Sequence, residues 1–276
     1  MNKSKIEWCD STWNPVTGCY HNCEYCYARK IAKRFGGWKF TPGMIAMNVA
    51  DDDTYTHPMK RYYGEAAETE YGKIADITDP FLKENHSKAP YPFGFTPTFH
   101  RYRLNEYEKK KGRTIFVCSM ADLFGKWVPD SWIEEVFAAC EKVPQHRYLF
   151  LTKNPQRYAE LARAGKLPQR DNMWYGSTVT AVENYFSSKK TFNTFLSIEP
   201  LFSPISPLTI TDVKWLVIGA ETGNRKNKVI PKKEWIDNIV QYADNTRLSV
   251  FMKDSLIPIV GEENMRREFP WGKDGD

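Results

Sequence analysis

Nowhere in its 276 residues does this chain hold an apolar run near the ~18 residues that cross a bilayer. A membrane-spanning role is therefore not expected. The stretch Met1-Asn2-Lys3-Ser4-Lys5-Ile6-Glu7 lacks the apolar core of a secretory leader, so a cytoplasmic location is the expectation. Six cysteines are too few in so long a chain for a disulfide scaffold. No Gly-x-Gly-x-x-Gly loop points to a dinucleotide fold, and no internal repeat stands out. Charge is unbalanced only mildly, at +5, which is compatible with an anionic substrate or nucleic acid without requiring one. What remains is a chain 41% hydrophobic and 14% aromatic, long enough for one large domain or two small ones.

Its most specific stretch is Gly18-Cys19-Tyr20-His21-Asn22-Cys23-Glu24-Tyr25-Cys26-Tyr27. Thiolates at C-x3-C-x2-C spacing can face one soft metal centre. A closed zinc or iron–sulfur site takes four protein ligands, so three leave one position open. The spacing, with an aromatic directly after the third cysteine, resembles the signature of the radical S-adenosylmethionine (SAM) superfamily. That resemblance implies a [4Fe-4S] cluster on Cys19, Cys23 and Cys26, with SAM chelated at the open iron through its amino and carboxylate groups. An electron from the cluster then splits the sulfonium C–S bond, releasing methionine and a 5′-deoxyadenosyl radical. It also implies a reductant such as flavodoxin or ferredoxin. The alternative is a closed four-cysteine site through Cys9. No second C-x2-C knuckle supports it, and Cys9 lies in Glu7-Trp8-Cys9-Asp10, which looks like packed entry to a first strand.

Residues 1–18 read as a lead-in and first strand, and Glu24–Phe35 as a helix ended by Gly36-Gly37. Residues 38–112 are irregular and read as an inserted lid or substrate subdomain with few helices. From Arg113 the pattern becomes regular. Strands are expected at Thr114–Ser119, Arg147–Thr152, Met173–Thr178, Thr194–Ile198, Val213–Gly219 and Leu248–Met252. Helices are expected at Ser131–Lys142, Pro155–Ala164, Ala181–Phe192 and Lys232–Ala243. Near-continuous apolar strands alternating with amphipathic helices argue for a parallel sheet wrapped by helices. The expected fold is α/β, a partial (β/α)6 TIM-like barrel formed by 1–37 and 113–276, with 38–112 inserted after the first helix.

In a parallel barrel, chemistry lies where the strands end. Here the expected strands end in polar groups: Cys118, Ser119 and Asp122, then Lys153, Ser177, Glu199, Glu221 and Lys253. Two lysines and three carboxylates on one rim would suit a zwitterionic ligand. The resemblance extends over these endings. Trp13-Asn14-Pro15-Val16-Thr17-Gly18-Cys19, Ser119-Met120-Ala121-Asp122-Leu123-Phe124, Leu151-Thr152-Lys153, Ser197-Ile198-Glu199-Pro200-Leu201 and Gly219-Ala220-Glu221-Thr222-Gly223 look like a phage-associated radical SAM family. That family is distantly similar to spore photoproduct lyase. It implies that the Ser119–Asp122 ending meets the SAM amino group. It places Ser177, Glu199 and Glu221 around its ribose and carboxylate. Lys153 and Lys253 would meet the SAM carboxylate or an anionic substrate. Cys118 is a candidate hydrogen-atom donor to a product radical, and Cys140 a packing residue. A salt bridge tying adjacent strand ends is the competing role for each charged residue.

The leading expectation is an enzyme that abstracts hydrogen from a nucleic-acid component, such as a modified base or nucleotide. The inserted segment supplies aromatic faces beside cations, which suits such a substrate. The faces are Trp38, Phe40, Tyr55, Tyr62, Tyr63, Tyr71, Tyr91, Phe93, Phe95, Phe99 and Tyr102; the cations are Lys60, Arg61, His100, Arg101 and Arg103. A small aromatic core is the alternative for that segment. Peptide or small-molecule tailoring is the second expectation for the reaction, and a non-catalytic, metal-stabilised binding protein the third.

Overall fold

Strands read from near-continuous apolar runs need cover on both faces, and this chain supplies it. A computed structural model describes residues 4–36, 64–83, 85–180, 185–188, 190–206 and 210–272. Eleven strands are described: β1 (Ser11–Trp13), β2 (Val16–Thr17), β3 (Gly64–Thr69), β4 (Gly72–Ile77), β5 (Thr98–His100), β6 (Thr114–Val117), β7 (Arg147–Thr152), β8 (Met173–Thr178), β9 (Asn193–Ile198), β10 (Trp215–Ile218) and β11 (Ser249–Met252). The described α-helices are α1 (Tyr27–Phe35), α2 (Asp130–Glu141), α3 (Pro155–Arg163), α4 (Lys233–Thr246) and the single turn α5 (Ile257–Val260). One parallel sheet of seven strands runs β1-β6-β7-β8-β9-β10-β11, and a second of four runs β2-β5-β4-β3.

The chain divides into two compact units. The first comprises Met1–Ser11, Arg113–Ile115 and Arg147–Asp276. Within it, strand alternation sends one set of side chains to each face. Leu196, Ile198, Leu216, Ile218, Val250 and Met252 join Ile236, Ile239 and Ala243 of α4 in one core cluster. On the alternate positions, Phe195, Trp215 and Phe251 meet a layer of other aromatic rings. Trp8 packs edge-on against Phe195 and Trp215, each at 6.1 Å, while Phe269 and Trp271 lie 5.7 and 5.1 Å from Trp215.

The second unit comprises Thr12–Gly112 and Phe116–His146. Its four-stranded sheet mixes directions: β2–β5 and β3–β4 are antiparallel, and β4–β5 is parallel. Ala75 and Ile77 of β4 form a small core with Phe81, Ala89 and Phe93. Helix α2 buries Trp132, Ile133, Val136, Phe137, Ala139 and Cys140, and the Trp132 ring lies 5.3 Å from that of Phe99.

The expected (β/α)6 barrel is not what forms. Among the described residues no helix joins β9 to β10, and β11 is followed only by 3-10 turns at Asp254–Leu256 and Glu262–Asn264 and by α5 between them. The expected helix Ala181–Phe192 lies partly outside the described residues, and its described part is not helical. The sheet also has an edge at β11 that another segment occupies. Met252 N–H donates to Arg266 O at 2.8 Å, and Glu268 N–H donates to Val250 O at 3.0 Å. The backbone groups that a closing strand would use are thereby taken. The segment expected as an irregular insertion lies outside the described residues over 37–63 and carries three strands over 64–100.

Trp215 is fully buried at the centre of the aromatic layer. Trp215→Ala should lower the unfolding free energy by about 3–5 kcal/mol, through lost transfer energy and an unfilled cavity. Urea titration of the metal-free protein checks this; a loss under about 1 kcal/mol would show that the layer repacks around the gap.

Candidate metal centre

The cysteine loop is held at both of its flanks. Asn14, in an Asn-Pro turn between β1 and β2, places Oδ1 to accept from Met120 N–H at 2.9 Å and from Ser119 Oγ at 3.2 Å. Gly18 N–H donates to Met120 O at 2.9 Å, and Gly18 bridges in parallel to Ala121. Cys19 N–H donates to Phe95 O at 3.2 Å. Tyr27 Oη donates to Ser119 O at 2.7 Å, and His21 Nε2 lies 2.7 Å from Asp122 Oδ2. Gly18 sits at φ +87°, and a Cβ there would stand 2.3 Å from Thr96 O. Only glycine lets the backbone pass so close in that conformation.

Within this frame each cysteine has a distinct setting. Cys19 Sγ accepts from the His21 N–H at 3.5 Å. Burial pushes the Cys19 thiol up to about 12; the Asp122 carboxylate adds to the rise, the His21 N–H opposes it, and Cys23 and Cys26 add smaller contributions. Cys26 N–H donates to Cys23 O at 3.2 Å, fixing the turn between them. Cys26 is also the N-cap of α1, its Sγ accepting from Arg29 N–H at 3.4 Å. The first turn of α1 carries no acidic residue. Asn22, at φ +55°, accepts from the Arg29 guanidinium, which lies over the Phe95 ring at 5.4 Å.

This donor set fits a thiophilic centre. Three thiols share one loop, and a bound cation reverses the burial effect that keeps Cys19 protonated. Among the described residues no three His, Cys, Asp or Glu side chains could hold a single metal ion as they stand. Cys9 is engaged elsewhere: its thiol donates to Ser4 Oγ at 3.5 Å and to Ile6 O at 3.7 Å.

Cys118, Ser119 and Asp122 follow β6 in the same unit as the loop. Ser119 and Asp122 are bonded to it as described. Cys118 has φ +57° and is buried, with its thiol pushed up to about 12 by burial and partly restrained by the Val16 backbone. That is the setting of a core thiol, and Cys140 in α2 is likewise fully buried.

The other expected site residues lie in the first unit. Ser177 is buried and accepts from Phe186 N–H at 3.1 Å. Glu199 pairs with Lys253 across β10, over Gly219, where a Cβ would meet both side chains at 3.1–3.2 Å. Glu221 takes a two-point bond from Arg225, at 2.6 and 2.7 Å. Lys153 follows β7 and is half-buried. Three of the expected charged strand ends, Glu199, Glu221 and Lys253, are thus in salt bridges, of which Glu199–Lys253 joins two strand ends.

The aromatic–cation set of the insertion divides similarly. Trp38, Phe40, Tyr55, Lys60, Arg61, Tyr62 and Tyr63 lie outside the described residues. Phe93 and Phe99 are core. Arg101 makes two 2.7 Å bonds to Asp76, and Arg103 donates to Asn14 O and Pro90 O. His100 is buried 2.8 Å from Thr17 Oγ1, and burial, reinforced by Arg103, holds its imidazole well below the usual value. Arg101 and Arg103 thus brace the cysteine-loop unit through carboxylate and backbone oxygens, and His100 does so as a neutral ring. Asn14 and Phe95 are the supports that sequence reasoning passed over; the Asn-Pro dipeptide was the available signal for the first.

Fold and loop together define an α/β protein with a candidate thiolate metal centre. Residues 3–255 match the model of the family described as "Protein of unknown function (DUF5131)", and the chain belongs to that family. No curated protein and no solved structure matches it.

Two predictions follow from these contacts. Gly18→Ala should cost at least about 1–2 kcal/mol from the left-handed backbone alone, read by urea unfolding, and should slow metal uptake by the loop. An unchanged midpoint would mean that the Thr96 contact relaxes freely. The Arg225 bond, outweighing burial, holds the Glu221 carboxyl below its usual 4.5. A depressed carboxyl contributes stability above its unfolded value and loses it as pH falls through the folded one. The midpoint gap between wild type and Arg225→Gln should therefore be full near neutrality and close in strong acid; a gap that does not vary with pH would contradict it.

Proposed function

We propose that this chain is a radical SAM enzyme: a [4Fe-4S] cluster on Cys19, Cys23 and Cys26 binds SAM at its open iron, and a hydrogen atom is taken from a substrate. The observation that carries the reading is the cysteine loop itself: Cys19, Cys23 and Cys26 lie on one short stretch of backbone tied at both flanks, and Cys9 is bonded within its own lead-in. When bound, the cluster supplies the electron that splits SAM into methionine and a 5′-deoxyadenosyl radical.

The chain's own residues hold and shield this centre. Asn14, Gly18 and Phe95 tie the loop by bonds of the protein's own, which lowers the ordering cost of binding. The α1 N-terminus offsets thiolate charge at Cys26. Tyr27 and Ser119 set one flank of the loop. A one-electron reductant of the flavodoxin or ferredoxin kind is required as partner, and the same chemistry suits a reducing cytoplasm. The favoured substrate is a nucleic-acid component, supported by the resemblance of the motifs and the mild positive charge.

Anaerobic reconstitution should give about four irons and four sulfides per chain. Cys19→Ala, Cys23→Ala or Cys26→Ala should each abolish the cluster, while Cys9→Ala keeps it. With dithionite and SAM the wild type should release 5′-deoxyadenosine. One zinc per chain, lost as completely in Cys9→Ala as in Cys23→Ala, would replace this reading with a closed structural site. Release unaffected by nucleotides and oligonucleotides would turn the substrate search to peptides.

A further inference from the structure

The resemblance sends Asp122 to the SAM amino group, but its contacts describe another task. Its side chain is 6% exposed. Oδ2 lies 2.7 Å from His21 Nε2, and Oδ1 accepts from Phe124 N–H at 3.0 Å. Both oxygens are thus engaged by the protein. His21 lies between two of the ligand cysteines, and its own N–H reaches Cys19 Sγ. Its ring also meets that of Trp127, edge to face at 4.9 Å. Tyr20 packs on the same indole at 5.5 Å and donates to Lys73 O at 2.5 Å. The loop between Cys19 and Cys23 is therefore clamped, with one ring held by a buried carboxylate and an indole.

We infer that Asp122 is a positioning residue, fixing the cysteine loop through His21 and setting a negative charge beside Cys19, with SAM bound elsewhere than on its carboxylate. A buried carboxylate that keeps two hydrogen bonds gains little by exchanging them for a ligand ammonium. A fixed negative charge near a cluster opposes the further negative charge that reduction adds. The redox part rests on the cluster reading above; the clamp does not.

Asp122→Asn keeps an acceptor for Phe124 and a partner for His21 while removing the charge. It should hold the wild-type iron content and shift the one-electron reduction equilibrium about tenfold toward the reduced form, about 59 mV. SAM affinity, read from the cofactor-dependent change in the cluster spectrum, should stay within about threefold. In metal-free protein, His21→Ala and Asp122→Ala should each speed amide exchange over residues 20–26 about tenfold, and the double variant no further, because one contact is broken in all three. A tenfold or greater loss of SAM affinity in Asp122→Asn at unchanged potential would make Asp122 a cofactor contact and overturn the inference. Unaltered exchange in both alanine variants would overturn it as well. If the wild type binds no four-iron cluster, the proposed function fails, and the exchange measurement still decides the clamp.

Discussion

The backbone bond from Gly18 N–H to Met120 O is the constraint on which the rest of the cysteine-loop unit turns. It lies between β2 and the loop, at a residue whose φ of +87° excludes a side chain. With Asn14 on one side and Cys19 N–H on the other, it fixes where the loop starts. The loop is then short enough that one tether at His21 and one cap at Cys26 determine it. A ligand loop tied this way owes much of its ordering to bonds within the fold.

The second sheet gives that constraint its footing. β5 pairs with β2 directly ahead of Gly18, and the residues just before β5, Phe95 and Thr96, form the wall the loop passes. His100 and Arg103, expected among the cations of the inserted segment, join β5 to β2 and to Asn14. Where a buried imidazole and a guanidinium satisfy backbone and hydroxyl groups, their polarity serves uniqueness of packing.

Legibility in the sequence followed the strength of local signals. Arg147–Thr152 and Met173–Thr178 fall at their expected bounds because buried parallel strands carry continuous apolar runs. The three cysteines were plain from spacing. The β3–β4 hairpin was not, since Gly64–Thr69 holds two alanines and two glutamates, residues that favour helix locally, and Gly72–Ile77 has no continuous apolar run. Pairing of β3 with β4 overrides that preference. The barrel expectation failed for a related reason: Arg266–Glu268 shows no strand pattern but occupies the β11 edge through backbone bonds that any sequence can make. Glu199, Glu221 and Lys253 were visible as polar strand ends. Their pairing within the unit depends on the reach of Arg225 and on the space over Gly219, which periodicity does not encode.

The sulfur of Cys26 begins α1, a helix of nine residues. A helix so short has little stability of its own, and its first turn is the costly part to form. The same atom is a candidate ligand, so ligation and helix nucleation draw on one side chain. Oxidation or alkylation of Cys26 would then be felt as unwinding at Tyr27 and Ala28, turning a chemical event at one sulfur into a mechanical one along the chain.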